Sequence, residues 1–184
     1  MQESDRKTTT LVLGGARSGK SRWAQALAGK AERVAYVATA QARDAEMREK
    51  IRRHQEDRPR HWQTLEEPLD LAHALLDNAA HFDLMLVDCL TVFAANLVEV
   101  AETDPGSMEP RIEGFLAALR TAPVSIVLVS NEVGSGVVPP YPLGRRYRDV
   151  LGELNQRVAV IADHVVLMVA GLPLALKGSI EARP

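Results

Sequence analysis

The chain has 184 residues, which is enough for one domain with a hydrophobic core and too few for two ordinary domains. Its composition is 46% hydrophobic and 25% charged, as in globular proteins, and the net charge of −2 argues against a dedicated nucleic-acid binder. The single cysteine, Cys89, excludes an intrachain disulfide and a cysteine-based metal cluster, which fits a reducing compartment.

The N-terminal segment from Met1 to Thr10 is polar and lacks the apolar run of a signal peptide. No apolar stretch approaches the ~18 residues that a membrane span requires. We therefore expect a cytoplasmic protein with no membrane span and no nucleic-acid partner.

In the first half of the chain, short apolar strands alternate with segments of helical periodicity. The predicted elements are a strand at Thr9–Leu13, a helix at Lys20–Ala31, a strand at Val34–Ala38, a charged helix at Arg43–His54, a helix at Leu69–Asn78 and a strand at Leu84–Val87 that ends at Asp88.

The second half continues the alternation. Its predicted elements are helices at Leu90–Glu102 and Met108–Thr121, a strand at Val124–Val129, a loop at Gly134–Pro142, a helix at Leu143–Ala162, a strand at Val165–Val169 and a short edge strand within Gly171–Lys177. We predict that the last residues, Gly178 to Pro184, are frayed. The pattern predicts an α/β fold with a mostly parallel sheet covered on both faces. We expect one domain over residues 1–184, with an ordered core at about residues 8–177.

The segment from Gly14 to Ser21 reads Gly-Gly-Ala-Arg-Ser-Gly-Lys-Ser and matches the phosphate-loop pattern G-x-x-x-x-G-K-[ST]. Glycines let backbone N–H groups surround phosphate oxygens, Lys20 supplies a positive charge for the outer phosphates, and Ser21 supplies a hydroxyl for Mg²⁺. A chance match is the alternative, but the position between a predicted strand and a predicted helix favours nucleotide binding.

A carboxylate for the metal is predicted at Asp88, which follows four apolar strand residues as in a Walker-B motif. Alone this pattern is weak, because an Asp before a helix also serves as an N-cap.

His54 is predicted to lie on the inward face of the charged helix, since it shares the helical stripe of Met47 and Ile51. It is either a packing histidine or a nucleophile or acid/base group that faces the nucleotide.

Further motifs span nearly the whole chain, from about Leu11 to Lys177. They are Val37-Ala-Thr39, Asp44-x-Glu-Met47, Ile51-Arg-Arg-His54, Arg58-Pro-x-x-Trp62-x-Thr64-x-Glu66, Asp88-Cys-Leu-Thr91, Asn96-Leu97, Ser130-Asn-Glu-Val-Gly134-x-Gly136-x-Val-Pro139, Leu143-Gly-Arg145, Arg148-Asp149, Asn155-Gln156 and Ala162-Asp163. Together with the phosphate loop they resemble the bifunctional adenosylcobinamide kinase / adenosylcobinamide-phosphate guanylyltransferase family of cobalamin biosynthesis.

The resemblance implies a RecA-like P-loop fold and two reactions. ATP or GTP phosphorylates adenosylcobinamide, and GTP then transfers GMP to adenosylcobinamide phosphate through a guanylyl-histidine, here His54, giving adenosyl-GDP-cobinamide and pyrophosphate. It also implies Mg²⁺, held by Ser21 and Asp88, and a homotrimer.

The resemblance further implies a set of nucleotide contacts. They are Gly14, Gly15, Ala16, Arg17, Ser18, Gly19, Lys20, Ser21, Arg22, Ala38, Thr39, Ala40, Gln55, Glu56, Asp57, Arg58, Glu66 and Asp88, with Lys20 and His54 catalytic. The family often has Ser where this chain has Ala40, so a contact there would use the backbone.

Asn131, Glu132, Arg145 and Arg148 are further candidates, because Glu132 follows a strand at the expected ligand edge of the sheet. For Glu132 the alternative is an ion pair with one of the arginines. Two rival functions for the chain stay open at this point: a kinase without guanylyl transfer, and a regulatory module that uses GTP as a switch.

Overall fold

Seven strands form a single twisted sheet in the computed structural model, which describes residues 7–42, 49, 52 and 58–180. The strands are β1 (Thr9–Gly14), β2 (Val34–Ala38), β3 (Gln63–Glu66), β4 (Leu84–Asp88), β5 (Ser125–Asn131), β6 (His164–Val169) and β7 (Leu172–Lys177). β1, β2 and β4 consist almost entirely of buried residues, as their apolar sequences predict.

Five helices connect and cover these strands in the described part of the chain. They are α1 (Lys20–Ala28), α2 (Leu71–Asn78), α3 (Leu90–Val100), α4 (Met108–Thr121) and α5 (Pro142–Ile161), with a 3₁₀ turn at Ala79–His81 after α2. Asp70 caps α2, because its side chain accepts a hydrogen bond from the His73 N–H. Pro142 begins α5, where a missing N–H costs no helical hydrogen bond.

The strand order is β3-β2-β4-β5-β1-β6-β7, and every neighbouring pair is parallel except β6 and β7. The strands that carry the two predicted phosphate and metal motifs, β1 and β4, therefore lie on either side of β5. Their carboxyl ends open at the same edge of the sheet, where ligands bind in open α/β folds.

Two hydrophobic layers cover the two faces of the sheet. α2 to α5 bury one face around residues such as Phe93 and Phe115, whose rings meet edge to face with centroids 5.7 Å apart. α1 and Trp62 cover the other face. The predicted α/β fold with both faces covered is confirmed.

The main error of the sequence prediction is β3, a polar edge strand that has no apolar run to mark it. The first helix also ends at Ala28 and not at Ala31, because Gly29 follows as its C-cap. Of the predicted helix at Arg43–His54 only Glu49 and Arg52 are described; both are helical and their side chains form an i,i+3 ion pair at 2.8 Å.

No helix in the described ranges combines the length and apolarity needed to cross a bilayer.

Candidate active site

The phosphate loop, Gly14 to Ser21, leaves the end of β1 and enters α1. Arg17 and Gly19 have positive φ angles of 57° and 91°, the left-handed conformation that tight loops often require. The Lys20 ammonium donates to the Gly15 carbonyl oxygen at 3.2 Å and folds back over the loop. This geometry is that of a phosphate cradle at a helix N-terminus.

The turn between β6 and β7 supports the phosphate loop from behind. The Gly171 N–H donates to the Ser18 carbonyl at 3.0 Å, and a Cβ on Gly19 would lie 3.3 Å from the Gly171 Cα. A Cβ on Gly14 would come within 2.8 Å of the Met168 carbonyl oxygen. Gly14 and Gly19 therefore permit a backbone-to-backbone approach that a larger residue would prevent.

Lys20 and Asp88 come together although β5 separates their strands. Burial lowers the pKa of Lys20, and the nearby Cys89 and Asp88 act in the opposite direction. The structure thus brings the predicted phosphate-binding lysine and the predicted metal-binding carboxylate into one electrostatic neighbourhood.

Tyr36 holds the Asp88 carboxylate in place. Its hydroxyl donates to Asp88 Oδ2 at 2.8 Å, and its ring lies under the Arg58 guanidinium, whose Cζ is 3.2 Å from the ring centroid. Burial, reinforced by the Asp88 carboxylate, raises the pKa of Tyr36 far above its ordinary value, so the phenol keeps its proton. Arg58 Nε and Nη1 are buried and make no hydrogen bond to the described residues.

Three predicted nucleotide contacts end neighbouring strands in one row. Ala38 is the register partner of Glu66 on one side and of Asp88 on the other. These three residues therefore lie side by side at the carboxyl ends of β3, β2 and β4. The row starts at β4 and runs away from the phosphate loop.

Thr39 joins β2 to β4 directly beyond this row. Its buried hydroxyl donates to the Cys89 carbonyl at 2.8 Å and accepts from the Cys89 N–H at 2.9 Å, while Asn96 Nδ2 donates to the Thr39 carbonyl at 3.0 Å. Because the Thr39 hydroxyl already makes both of these bonds, it holds the ends of β2 and β4 together. A nucleotide contact at Thr39 would therefore use atoms other than this hydroxyl, and one at Ala40 would use the backbone.

The end of β5 lies between the two motifs. Asn131 is the register partner of Gly14, and the Glu132 N–H donates to the Gly14 carbonyl at 3.2 Å. Thr91 accepts the Asn131 N–H at 2.8 Å and Asn155 donates to its carbonyl at 3.0 Å, while Asn131 Oδ1 is buried with no partner among the described residues.

The alternative considered for Glu132, an ion pair with Arg145 or Arg148, is wrong for the described residues. The Glu132 carboxylate accepts the Gly134 N–H, and Arg148 pairs with Asp149 at 3.1 Å. Arg145 Nη1 donates to the carbonyl oxygens of Pro139 and Pro140 at 3.1 and 2.9 Å. Arg145 thus organises residues 132–141, which we call the proline loop.

Ser21 and Asp88 are the oxygen donors that suit a divalent cation at this site. Asp88 Oδ1 makes no hydrogen bond within the described chain, and Ser21 lies in the first turn of α1, next to Lys20. Mg²⁺ bound with a nucleotide takes few protein ligands and many phosphate and water oxygens, so one hydroxyl and one carboxylate fit it. No group of three or more His, Cys, Asp or Glu ligands occurs in the described ranges.

Four predicted site residues, His54, Gln55, Glu56 and Asp57, lie outside the described residues.

Sequence reasoning missed Tyr36 as a partner of Asp88. The signal available for it was a phenol within the otherwise apolar strand β2, because a buried tyrosine hydroxyl needs a partner.

Residues 10–176 match the family model described as cobinamide kinase / cobinamide phosphate guanyltransferase. Two similar proteins are both called bifunctional adenosylcobalamin biosynthesis proteins. CobP of Pseudomonas aeruginosa is 49% identical, with 91% of this chain and 96% of that protein covered, and CobU of Salmonella typhimurium is 41% identical, with 91% and 98% covered.

Solved structures support the fold alone. An ATPase of a bacterial type III secretion system matches with a TM-score of 0.53 at 13% identity, covering 91% of this chain and 56% of that one. A protein of Pyrococcus horikoshii matches with a TM-score of 0.55 at 6% identity, covering 97% and 91%. The RecA-like P-loop fold is confirmed. By sequence, the chain belongs to the cobinamide kinase / cobinamide phosphate guanyltransferase family and is a bifunctional enzyme of cobalamin biosynthesis that uses nucleotides.

Proposed function

We propose that one nucleotide site performs both reactions, with the phosphate loop shared between them and His54 as the nucleophile of the second. The observation that carries this proposal is the position of Arg58, stacked on Tyr36 beside Asp88. Arg58 follows His54 by four residues, and four residues of chain span at most about 14 Å. This short connection to Arg58, which lies beside Asp88, supports the proposal that His54 acts at the same site.

In the kinase step, the hydroxyl on the aminopropanol arm of adenosylcobinamide attacks the γ-phosphorus of ATP or GTP. A new O–P bond forms, the bond to the bridging oxygen breaks, the nucleoside diphosphate leaves and the hydroxyl proton passes to solvent. Lys20 and the N–H groups of the phosphate loop hold the γ-phosphate, since positioning and charge stabilisation dominate this chemistry.

In the guanylyl step, a neutral imidazole nitrogen of His54 attacks the α-phosphorus of GTP and pyrophosphate leaves. The phosphate of adenosylcobinamide phosphate then attacks the same phosphorus and releases the imidazole. The two displacements divide one difficult transfer into two easier ones. The phosphate loop stabilises the charge on the departing pyrophosphate.

Ser21 and Asp88 would hold Mg²⁺ in this proposal, and the ion would supply positive charge that offsets the negative charge of the phosphates. Tyr36 donates to one oxygen of Asp88, so that the other oxygen would be the ligand for the ion. Arg58 Nε and Nη1, which have no hydrogen-bond partner among the described residues, suit an anionic group of the nucleotide.

The remaining nucleotide contacts that we propose are the other residues of the phosphate loop, Arg22, residues 38–40, residues 55–57 and Glu66. The row formed by Glu66, Ala38 and Asp88 supports them, because it extends the site from the phosphates along the sheet edge. We also propose a cytoplasmic homotrimer, by analogy with the family.

Incubation of the protein with GTP labelled at the α-phosphorus tests the nucleophile. We expect a covalent, acid-labile label that maps to the peptide containing His54, because a phosphorus–nitrogen bond hydrolyses in acid. His54→Asn should abolish the label and retain kinase activity, whereas the control His61→Asn, at an exposed position, should label normally.

Full labelling of His54→Asn would remove His54 from the mechanism. A wild-type protein that phosphorylates adenosylcobinamide without acquiring label would instead favour the kinase-only alternative. If neither reaction occurs, the regulatory-module alternative gains support.

A further inference from the structure

The proline loop carries an unusual surface. It follows Asn131 directly, and four large apolar side chains on the loop and the first turn of α5 face solvent: Val137, Val138, Tyr141 and Leu143, with exposed fractions of 96%, 56%, 61% and 45%. We call this set the apolar ridge. The four side chains are close together in the chain, and exposed apolar side chains that form a patch mark contact surfaces, whereas single ones need no explanation.

The loop beneath the ridge is held by specific contacts. Arg145 binds two consecutive proline carbonyls, and the prolines themselves restrict φ. A Cβ on Gly144 would lie 2.6 Å from the Tyr141 ring and 2.8 Å from Pro139 Cβ, so these residues pack directly on the helix backbone. The ridge therefore lies on a loop that these contacts hold in place.

The loop that carries the ridge begins beside the phosphate loop. Asn131, the last residue of β5, is the register partner of Gly14, and the N–H of Glu132, the first residue of the proline loop, donates to the Gly14 carbonyl. Val137 is six residues from Asn131, hence within roughly 22 Å of it. The proline loop and the phosphate loop therefore leave the sheet at the same edge.

In the proposed kinase step, the acceptor must place its hydroxyl at the γ-phosphate while its bulky macrocycle stays outside the phosphate loop. Two cavities of about 480 and 530 Å³ open near the amino ends of the strands, around Thr9 and around Thr10, and neither adjoins the phosphate loop. A macrocycle bound in either one would leave its arm at the wrong edge of the sheet.

We propose that the apolar ridge binds the corrin macrocycle of adenosylcobinamide and its phosphate. The apolar ring and its methyl groups lie on Val137, Val138, Tyr141 and Leu143, and the amide arms meet the exposed backbone of residues 134–136. The aminopropanol arm then runs along the proline loop toward Gly14, the register partner of Asn131. This assignment rests on the proposed shared site, because it places the acceptor arm at the phosphate loop.

The test is a double variant, Val137→Asp with Val138→Asp, assayed as the full-length protein. Two carboxylates on the ridge should raise the KM for adenosylcobinamide about tenfold or more and leave the KM for ATP near that of the wild type. Labelling by GTP alone requires no corrin and should proceed normally. Val160→Asp is the matched control, since it adds a charge at a 77% exposed valine by the cavity around Thr9.

The opposing outcomes are distinct. An unchanged KM for adenosylcobinamide overturns the ridge assignment, and so does an equal rise in the KM for ATP, which would indicate general damage to the site. A changed oligomeric state by light scattering assigns the ridge to a subunit contact and also overturns it. Failure of the wild-type protein to phosphorylate adenosylcobinamide would count against the proposed function and not against the ridge alone.

Discussion

The phosphate loop and the proline loop follow adjacent strands, leave the sheet at the same edge and are built in opposite ways. The phosphate loop turns inward, with glycines that bring backbone close to backbone at Ser18 and Gly171. The proline loop turns outward and presents apolar side chains on a support of arginine and proline. In our proposals, the phosphates of the nucleotide are bound mainly by the main chain of one loop, and the corrin macrocycle is bound by the side chains of the other.

The largest effect should come from the phosphate loop. Lys20→Ala removes the ammonium that lies over the cradle, and both reactions should slow about a hundredfold to a thousandfold, as when one donor to a developing charge is lost. Steady-state kinetics of the kinase step and the rate of GMP labelling measure this directly. Loss of only one of the two activities would contradict a phosphate loop shared by both.

A smaller effect is expected between the loops, at Tyr36. Tyr36→Phe removes the hydrogen bond to Asp88, and because such bonds to charged groups contribute roughly 1.5–3 kcal/mol, kcat should fall about tenfold. The Mg²⁺ concentration for half-maximal rate should rise as well. Since the raised pKa of Tyr36 keeps its proton in place, the ratio of wild-type to variant rates should stay constant from pH 6 to 9.

Tyr147→Phe is the control for this experiment. Tyr147 is a half-buried tyrosine whose pKa burial raises to about 12, and it makes no hydrogen bond to Asp88. Equal rates for the two phenylalanine variants would show that Tyr36 does not act through the carboxylate.

The smallest effect should come from the support of the proline loop. Arg145→Ala releases the two proline carbonyls, and we expect a three- to fivefold rise in the KM for adenosylcobinamide, in line with about 1 kcal/mol for lost hydrogen bonds. Arg146→Ala breaks only an exposed ion pair with Glu102 and should change nothing. A rise in the KM for ATP in the Arg145 variant would show that the proline loop also affects nucleotide binding. That result would contradict the separate roles that we propose for the two loops.

The sequence predicted the phosphate-loop segment between a strand and a helix, and six of the seven strands, because each depends on local residue types. It missed β3, since the polar residues of Gln63–Glu66 lack the apolar run by which a strand is recognised.

Side-chain pairings could not be predicted in the same way. The bond between Tyr36 and Asp88 and the bonds between Thr39 and Cys89 join residues about fifty positions apart, and they depend on strand register. Arg145 had been considered as a partner of Glu132, but its contacts with the proline carbonyls are set by the path of the loop. A prediction from charge alone therefore named the wrong partner for Arg145, because it did not consider backbone carbonyl oxygens as acceptors.

The hairpin of β6 and β7 has a practical meaning for the design of shortened versions of this enzyme. β7 is the antiparallel edge strand, and its outward leucines make it look dispensable. The turn that introduces it nevertheless supplies the N–H that anchors Ser18, and Lys177 at its far end binds the carbonyls of Ala159 and Val160. A deletion made after Val169 would therefore remove the backing of the nucleotide cradle, whereas one made after Gly178 would keep it.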